Sequence, residues 1–77
     1  MSESDEVLLR RYPILRFFEH DHLQPALRGI SRPFWSLAWQ MAGQLAYCAE
    51  TSTCLRKLLE AKDCAVRTAL ETKEEGQ

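Results

Sequence analysis

From Phe34 to Cys48 the chain is apolar at every position except Ser36, Gln40, Gly43 and Gln44, too many for one helical stripe. Phe34, Leu37, Ala38, Met41, Leu45 and Cys48 follow the i, i+3, i+4, i+7 rhythm of one face, while Trp35, Trp39, Ala42 and Ala46 form a second face turned away from it. Two apolar faces need two covering surfaces. The chain offers one other long helical segment, so a second copy of itself is the simplest source of the remaining cover.

The rest of the pattern places the elements. Residues 1–6 are polar, acidic and aperiodic, and read as a frayed arm. Pro13 disfavours the α region at Tyr12, so any helix here starts at or after the proline; Ile14, Leu15, Phe17 and Phe18 suit a short helical turn or an extended arm equally. His20 to Pro25 reads as a loop into a short helix that Gly29 stops. Ser31 then serves as N-cap and Pro33 as a first-turn residue of a long helix over about 32–48. Ala49 to Thr51 makes a short turn. Ser52 or Thr53 caps a second helix that carries Leu55, Leu58, Leu59, Val66, Ala69 and Leu70 on one face and ends near Leu70. The expected class is all-α: an antiparallel two-helix hairpin with a short N-terminal helix or arm, assembled as a homo-oligomer. Its divisions are a partly disordered arm at 1–16, a helical-hairpin domain at 17–70 and a disordered tail at 71–77.

Size sharpens this picture. A 77-residue chain is one domain at most, and a single core of that size supplies no more than about 3–5 kcal/mol without reinforcement. Three cysteines are an odd number, and no secretory pattern opens the chain, which leads us to expect a reducing cytoplasm and cysteines that act as small buried hydrophobes. The apolar run falls short of the roughly 20 residues that span a bilayer, so no membrane segment is expected.

The net charge of −1 hides an uneven distribution. Glu3, Asp5 and Glu6 open the chain and Glu71, Glu74 and Glu75 close it, whereas residues 9–70 carry nine Lys or Arg against five acids, a net of +4. Ordinary solvated charge explains such a mixture, but if a ligand is bound, the balance favours a small anion over polymeric nucleic acid. Lys62 falls where the second helix's stripe wants an apolar residue, and either snorkels to the edge or meets an anion. Arg56, Glu60, Asp63, Arg67 and Glu71 form a charged stripe in which Glu60 can pair with Arg56 and Asp63 with Arg67.

Candidate chemistry is sparse. His20-x-His22 lacks the close cysteine pairs of zinc sites, so no metal is expected, and no nucleophile–base set or glycine-rich phosphate loop is present. No cofactor is expected. The N–H groups of Arg32 and Phe34, beside the Arg32 side chain, would form a phosphate seat if a helix began there. Phe17, Phe18, His20, Trp35 and Trp39 offer flat surfaces, and a base stacked on an aromatic ring is worth about 1–3 kcal/mol. All of these aromatic rings also suit a protein core.

Two stretches add a family resemblance. His22-Leu-Gln-Pro-Ala-Leu-Arg-Gly-Ile-Ser-Arg-Pro-Phe34, followed by Leu37-Ala38, and Leu55-Arg-Lys-Leu-Leu-Glu-Ala-Lys-Asp-Cys-Ala-Val-Arg67, resemble the helical-hairpin domain of phage anti-CBASS and anti-Thoeris sponge proteins, over roughly residues 17–70. The resemblance implies a non-enzymatic homo-oligomer, a hexamer in the best-known members, working in the cytoplasm of an infected bacterium. It would sequester cyclic dinucleotides or cyclic trinucleotides uncleaved, in pockets between protomers. By the same resemblance Phe17, Phe18 or His20 stacks on a base, although related sequences carry a tyrosine that is missing here. Ser31 and Arg32 lie where the family places polar groups near ligand, Arg67 matches an arginine associated with cyclic trinucleotides, and His22 and Lys62 complete the candidate ligand-binding set. The alternative is a small helical protein-interaction module whose tryptophan face docks on a different protein.

Overall fold

A computed structural model describes residues 3–75, with side chains to Glu71. It is all-helical: α1 spans Glu3–Arg11, a 3-10 helix spans Pro13–Phe18, α2 spans Pro25–Gln44 and α3 spans Ala49–Glu75. No strand occurs among the described residues. α2 and α3 pack along one another as a hairpin, with the 3-10 helix set against both.

Residues 3–6 belong to α1, which corrects the expectation of a frayed start. Glu3, Asp5 and Glu6 fill its first turn and Arg10 and Arg11 its last, a charge order that complements the helix dipole. The sequence places any helix at or after Pro13, whereas α1 precedes the proline and stops at Arg11. Tyr12 is pushed to φ −130°, ψ 78°, its N–H still donating to the Leu8 carbonyl at 2.8 Å. The next six residues wind three per turn, so Tyr12, Leu15 and Phe18 share one edge and all three are buried, while Phe17 points outward at 66% exposure.

The break expected at Gly29–Ser31 is absent, because α2 runs through it from Pro25, which takes the first-turn position. Pro33 therefore lies inside the helix and offers no N–H to the Gly29 carbonyl, and Ser31 is fully buried rather than capping. α2 stops at Gln44, four residues earlier than expected; Leu45 leaves in an extended conformation, its N–H donating to the Met41 carbonyl at 2.9 Å. The connection is thus Leu45–Cys48, and α3 begins at Ala49, within the stretch expected to turn. Thr51 anchors that corner from inside the helix: its hydroxyl donates to the Ala46 carbonyl at 2.6 Å. α3 also continues past Leu70 to Glu75, where a disordered tail was expected.

The core comprises Tyr12, Leu15, Phe18, Ala38, Ala42 and Leu55, with Leu8, Leu9, Phe34, Trp35, Trp39, Met41, Leu58 and Leu59 packed around it. On α2 the buried line is Ser31, Ala38 and Ala42, and it draws from both stripes of the sequence reading; Leu37 and Leu45 remain more than 40% exposed. All three cysteines are exposed and free, against the expectation that they pack inside.

Two substitutions check this account by thermal or urea denaturation. Gly29 has no positive φ and nothing within 4 Å of where a Cβ would stand, so Gly29→Ala raises stability by about 0.5–1 kcal/mol. Leu55→Ala, at a fully buried position, lowers it by about 2–5 kcal/mol.

Candidate functional site

Arg28, Arg32, Trp35 and Trp39 recur at i, i+4, i+7 and i+11, so a continuous α2 presents them as one row. That row lines a cleft of about 1090 Å³. α1 adds Asp5 and Leu9, the 3-10 helix adds Leu15, and the loop after it adds Glu19, His20, Asp21 and His22. The loop is held by the Leu23 N–H donating to the His20 carbonyl at 3.1 Å.

Along the row the two guanidiniums come first and the two indoles follow. The His20 ring packs edge-on to Trp35 with centroids 5.3 Å apart and planes at 64°, and its Nε2 lies 3.8 Å from an Asp21 carboxylate oxygen. His20 Nδ1 and Trp39 Nε1 are buried without a hydrogen-bond partner. Buried polar atoms are normally satisfied, so two orphans beside one cleft are exceptions. Two guanidiniums suit phosphates, the tryptophan and histidine faces suit planar rings, and the three carboxylates accept from ring N–H donors. Among the described residues no group of three or more His, Cys, Asp or Glu is placed to hold a metal ion.

Of the residues singled out in the sequence, the structure brings His20, His22, Arg32, Trp35 and Trp39 together here. Phe18 and Ser31 must be withdrawn as ligand contacts, since both have no exposed surface: Phe18 fills the core and Ser31 faces it from the middle of α2. For the same reason the proposed N–H seat at Arg32 and Phe34 does not exist, as N–H groups inside a helix are taken by its own carbonyls. Phe17 is exposed but does not line the cleft. Lys62 is mostly buried and donates to the Phe17 carbonyl at 2.9 Å, with the Asp63 carboxylate 3.4 Å away. Its anion is thus internal, and Asp63 is engaged by Lys62 rather than Arg67. Arg67 lies exposed on α3, its guanidinium 3.4 Å from Cys64 Sγ. Arg28 was missed altogether. The i, i+4, i+7, i+11 row that reveals it exists only when residues 25–44 are read as one helix.

Cys48 immediately precedes α3 and accepts, through its carbonyl, the Ser52 N–H at 3.2 Å. The Thr51 hydroxyl, 3.5 Å from Sγ, and the N–H groups of Thr51 and Glu50 hold this thiol below its ordinary pKa.

Comparison with known proteins finds no matching family model, no matching curated protein and no matching solved structure.

Ser31→Ala removes a buried hydroxyl that has no partner, so it leaves the melting temperature unchanged or raises it; loss of a true N-cap would instead cost about 1 kcal/mol. For Cys48 the lowered pKa favours the thiolate in the folded state. Its contribution to stability is therefore present above the ordinary thiol pKa and is lost as pH falls through the lowered one. Alkylation of Cys48, followed by peptide mass spectrometry, accelerates at lower pH in the native protein than in the urea-unfolded chain, and Thr51→Val moves the native profile upward.

Proposed function

We propose that this chain captures cyclic oligonucleotide signals, cyclic dinucleotides or cyclic trinucleotides, and holds them without cleaving them. The supporting observation is the cleft row of Arg28, Arg32, Trp35 and Trp39, joined by His20 beside Trp35, which sets two cations next to three flat faces. A cyclic oligonucleotide alternates phosphodiesters with planar bases whose edges carry both donors and acceptors. Guanidiniums answer the first, indole and imidazole faces the second, and Asp5, Glu19 and Asp21 the base N–H groups. Holding such a ligand requires no reactive residue. It does require stoichiometric amounts of protein and a dissociation constant below the signal's working concentration.

The same reading expects assembly of several copies, a hexamer by resemblance to the phage sponges. Phe17, Leu37, Leu45, Tyr47 and Leu70 are all more than 40% exposed, which is a large apolar allotment for so small a surface. Pockets between protomers would then draw on groups that this single chain leaves outside the cleft, Phe17 and Arg67 among them.

A panel of cyclic di- and trinucleotides tests the proposal by calorimetry, with recovery of the ligand after denaturing the complex. At least one is bound and is returned chemically intact, and Arg32→Ala and Trp35→Ala each weaken it by roughly tenfold or more. Failure of every member to bind, or release of a cleaved product, overturns the reading. Light scattering of the free protein gives more than two protomer masses, whereas a docking module for a different protein stays monomeric or dimeric until that partner is added.

A further inference from the structure

A second, smaller cavity of about 240 Å³ lies between the N-terminal arm and the start of α3, lined by Arg11, Tyr12, Pro13, Ile14, Ser52 and Arg56. Its chemistry differs from that of the cleft. Two guanidiniums line it and no carboxylate does, and neither Arg11 nor Arg56 belongs to an ion pair among the described residues. The Arg11 guanidinium is held 5.1 Å from the centre of the Tyr47 ring, and Tyr47 in turn meets Tyr12 edge-on, with centroids 5.4 Å apart and planes at 87°. Tyr12 is 2% exposed and its hydroxyl, a buried donor, has no hydrogen-bond partner. Ser52 adds a hydroxyl at the first turn of a 27-residue helix, where the dipole is positive.

We propose that this cavity binds a phosphate dianion, either free inorganic phosphate or the terminal phosphate of a monoester. Two unpaired guanidiniums match two negative charges, and arginine engages phosphate oxygens in a bidentate manner. The Ser52 hydroxyl can donate to an oxygen that remains. The volume is below the roughly 300–1,000 Å³ of pockets that enclose whole organic ligands, so the phosphate group itself is the part recognised. A phosphodiester carries one charge and two blocked oxygens, and meets only half of this site. The inference is independent of the cyclic-nucleotide reading, whose ligands contain only diesters and whose cleft shares no residue with this cavity.

The test is an NMR titration of the 77-residue chain with inorganic phosphate, phenyl phosphate and dimethyl phosphate in separate arms. Saturable shifts at Arg11, Tyr12, Ser52 and Arg56 are expected for phosphate or phenyl phosphate, with dissociation constants in roughly the millimolar range or below, and the tighter of the two identifies the source. Dimethyl phosphate binds at least roughly tenfold more weakly. Arg56→Gln, at an exposed position, weakens phosphate by roughly tenfold or more, while Arg28→Gln in the cleft leaves it unchanged. Absence of saturable shifts, indifference to Arg56→Gln, or equal binding of dimethyl phosphate overturns the proposal.

Discussion

Tyr12, Leu15 and Phe18 stand three residues apart, and on a helix of three residues per turn that spacing buries all of them along one edge. Everything else is arranged around this wedge. The long helices bring only Ala38, Ala42 and Leu55 to the fully buried core, so the hairpin without its 3-10 helix would enclose little bulk. Burying a side chain the size of Leu15 or Phe18 is worth about 1.5–3 kcal/mol, which offsets the poorer hydrogen-bond geometry of a 3-10 helix. Lys62 secures the far end of the wedge by donating to the Phe17 carbonyl, one of the carbonyls that the helix itself cannot satisfy at its C-terminal end.

The wedge also decides where the cavities fall. Leu15 lines the large cleft, while Tyr12 and Ile14 line the small one, so the same six residues and the tyrosine before them separate two chemically different concavities. α1 reaches both, with Asp5 and Leu9 toward the cleft and Arg11 toward the small cavity. An arm that composition and aperiodicity mark as frayed and partly disordered is thus a wall of each site. Helix direction separates its acidic start from its basic end, so Asp5 reaches the cleft and Arg11 the small cavity.

The fold class was legible because it rests on period and length: two long apolar-patterned segments with a short connection specify a hairpin, and Pro13 marks the start of the element before it. Boundaries were not, and the reason is specific. Gly29, Ser31 and Pro33 each prefer a helix end when taken alone, and their local preferences agree with one another. Burial of Ala38 and Ala42 behind one continuous run from Pro25 outweighs them, at the cost of a buried Ser31 hydroxyl without a partner and a Gly29 carbonyl without its helical donor. That single misplaced boundary hid the Arg28–Trp39 row, although His20, His22 and Arg32 were legible from residue type. Phe18 was misassigned for a different reason, since a period of three cannot be distinguished from aperiodicity in six residues.

Sign distribution is the deepest difference between the cavities, and it constrains what each can hold. A cleft that faces an anion with Arg28 and Arg32 also presents Asp5, Glu19 and Asp21, so a bare phosphate gains little there: attraction to two cations is set against repulsion from three carboxylates. Only a ligand that separates its own charges, with phosphates at one set of positions and N–H donors at another, meets every group with its complement. The small cavity has no carboxylate to satisfy and rewards concentrated negative charge. Placed side by side on one wedge, the two concavities therefore select against each other's ligands by charge pattern alone, before shape is considered.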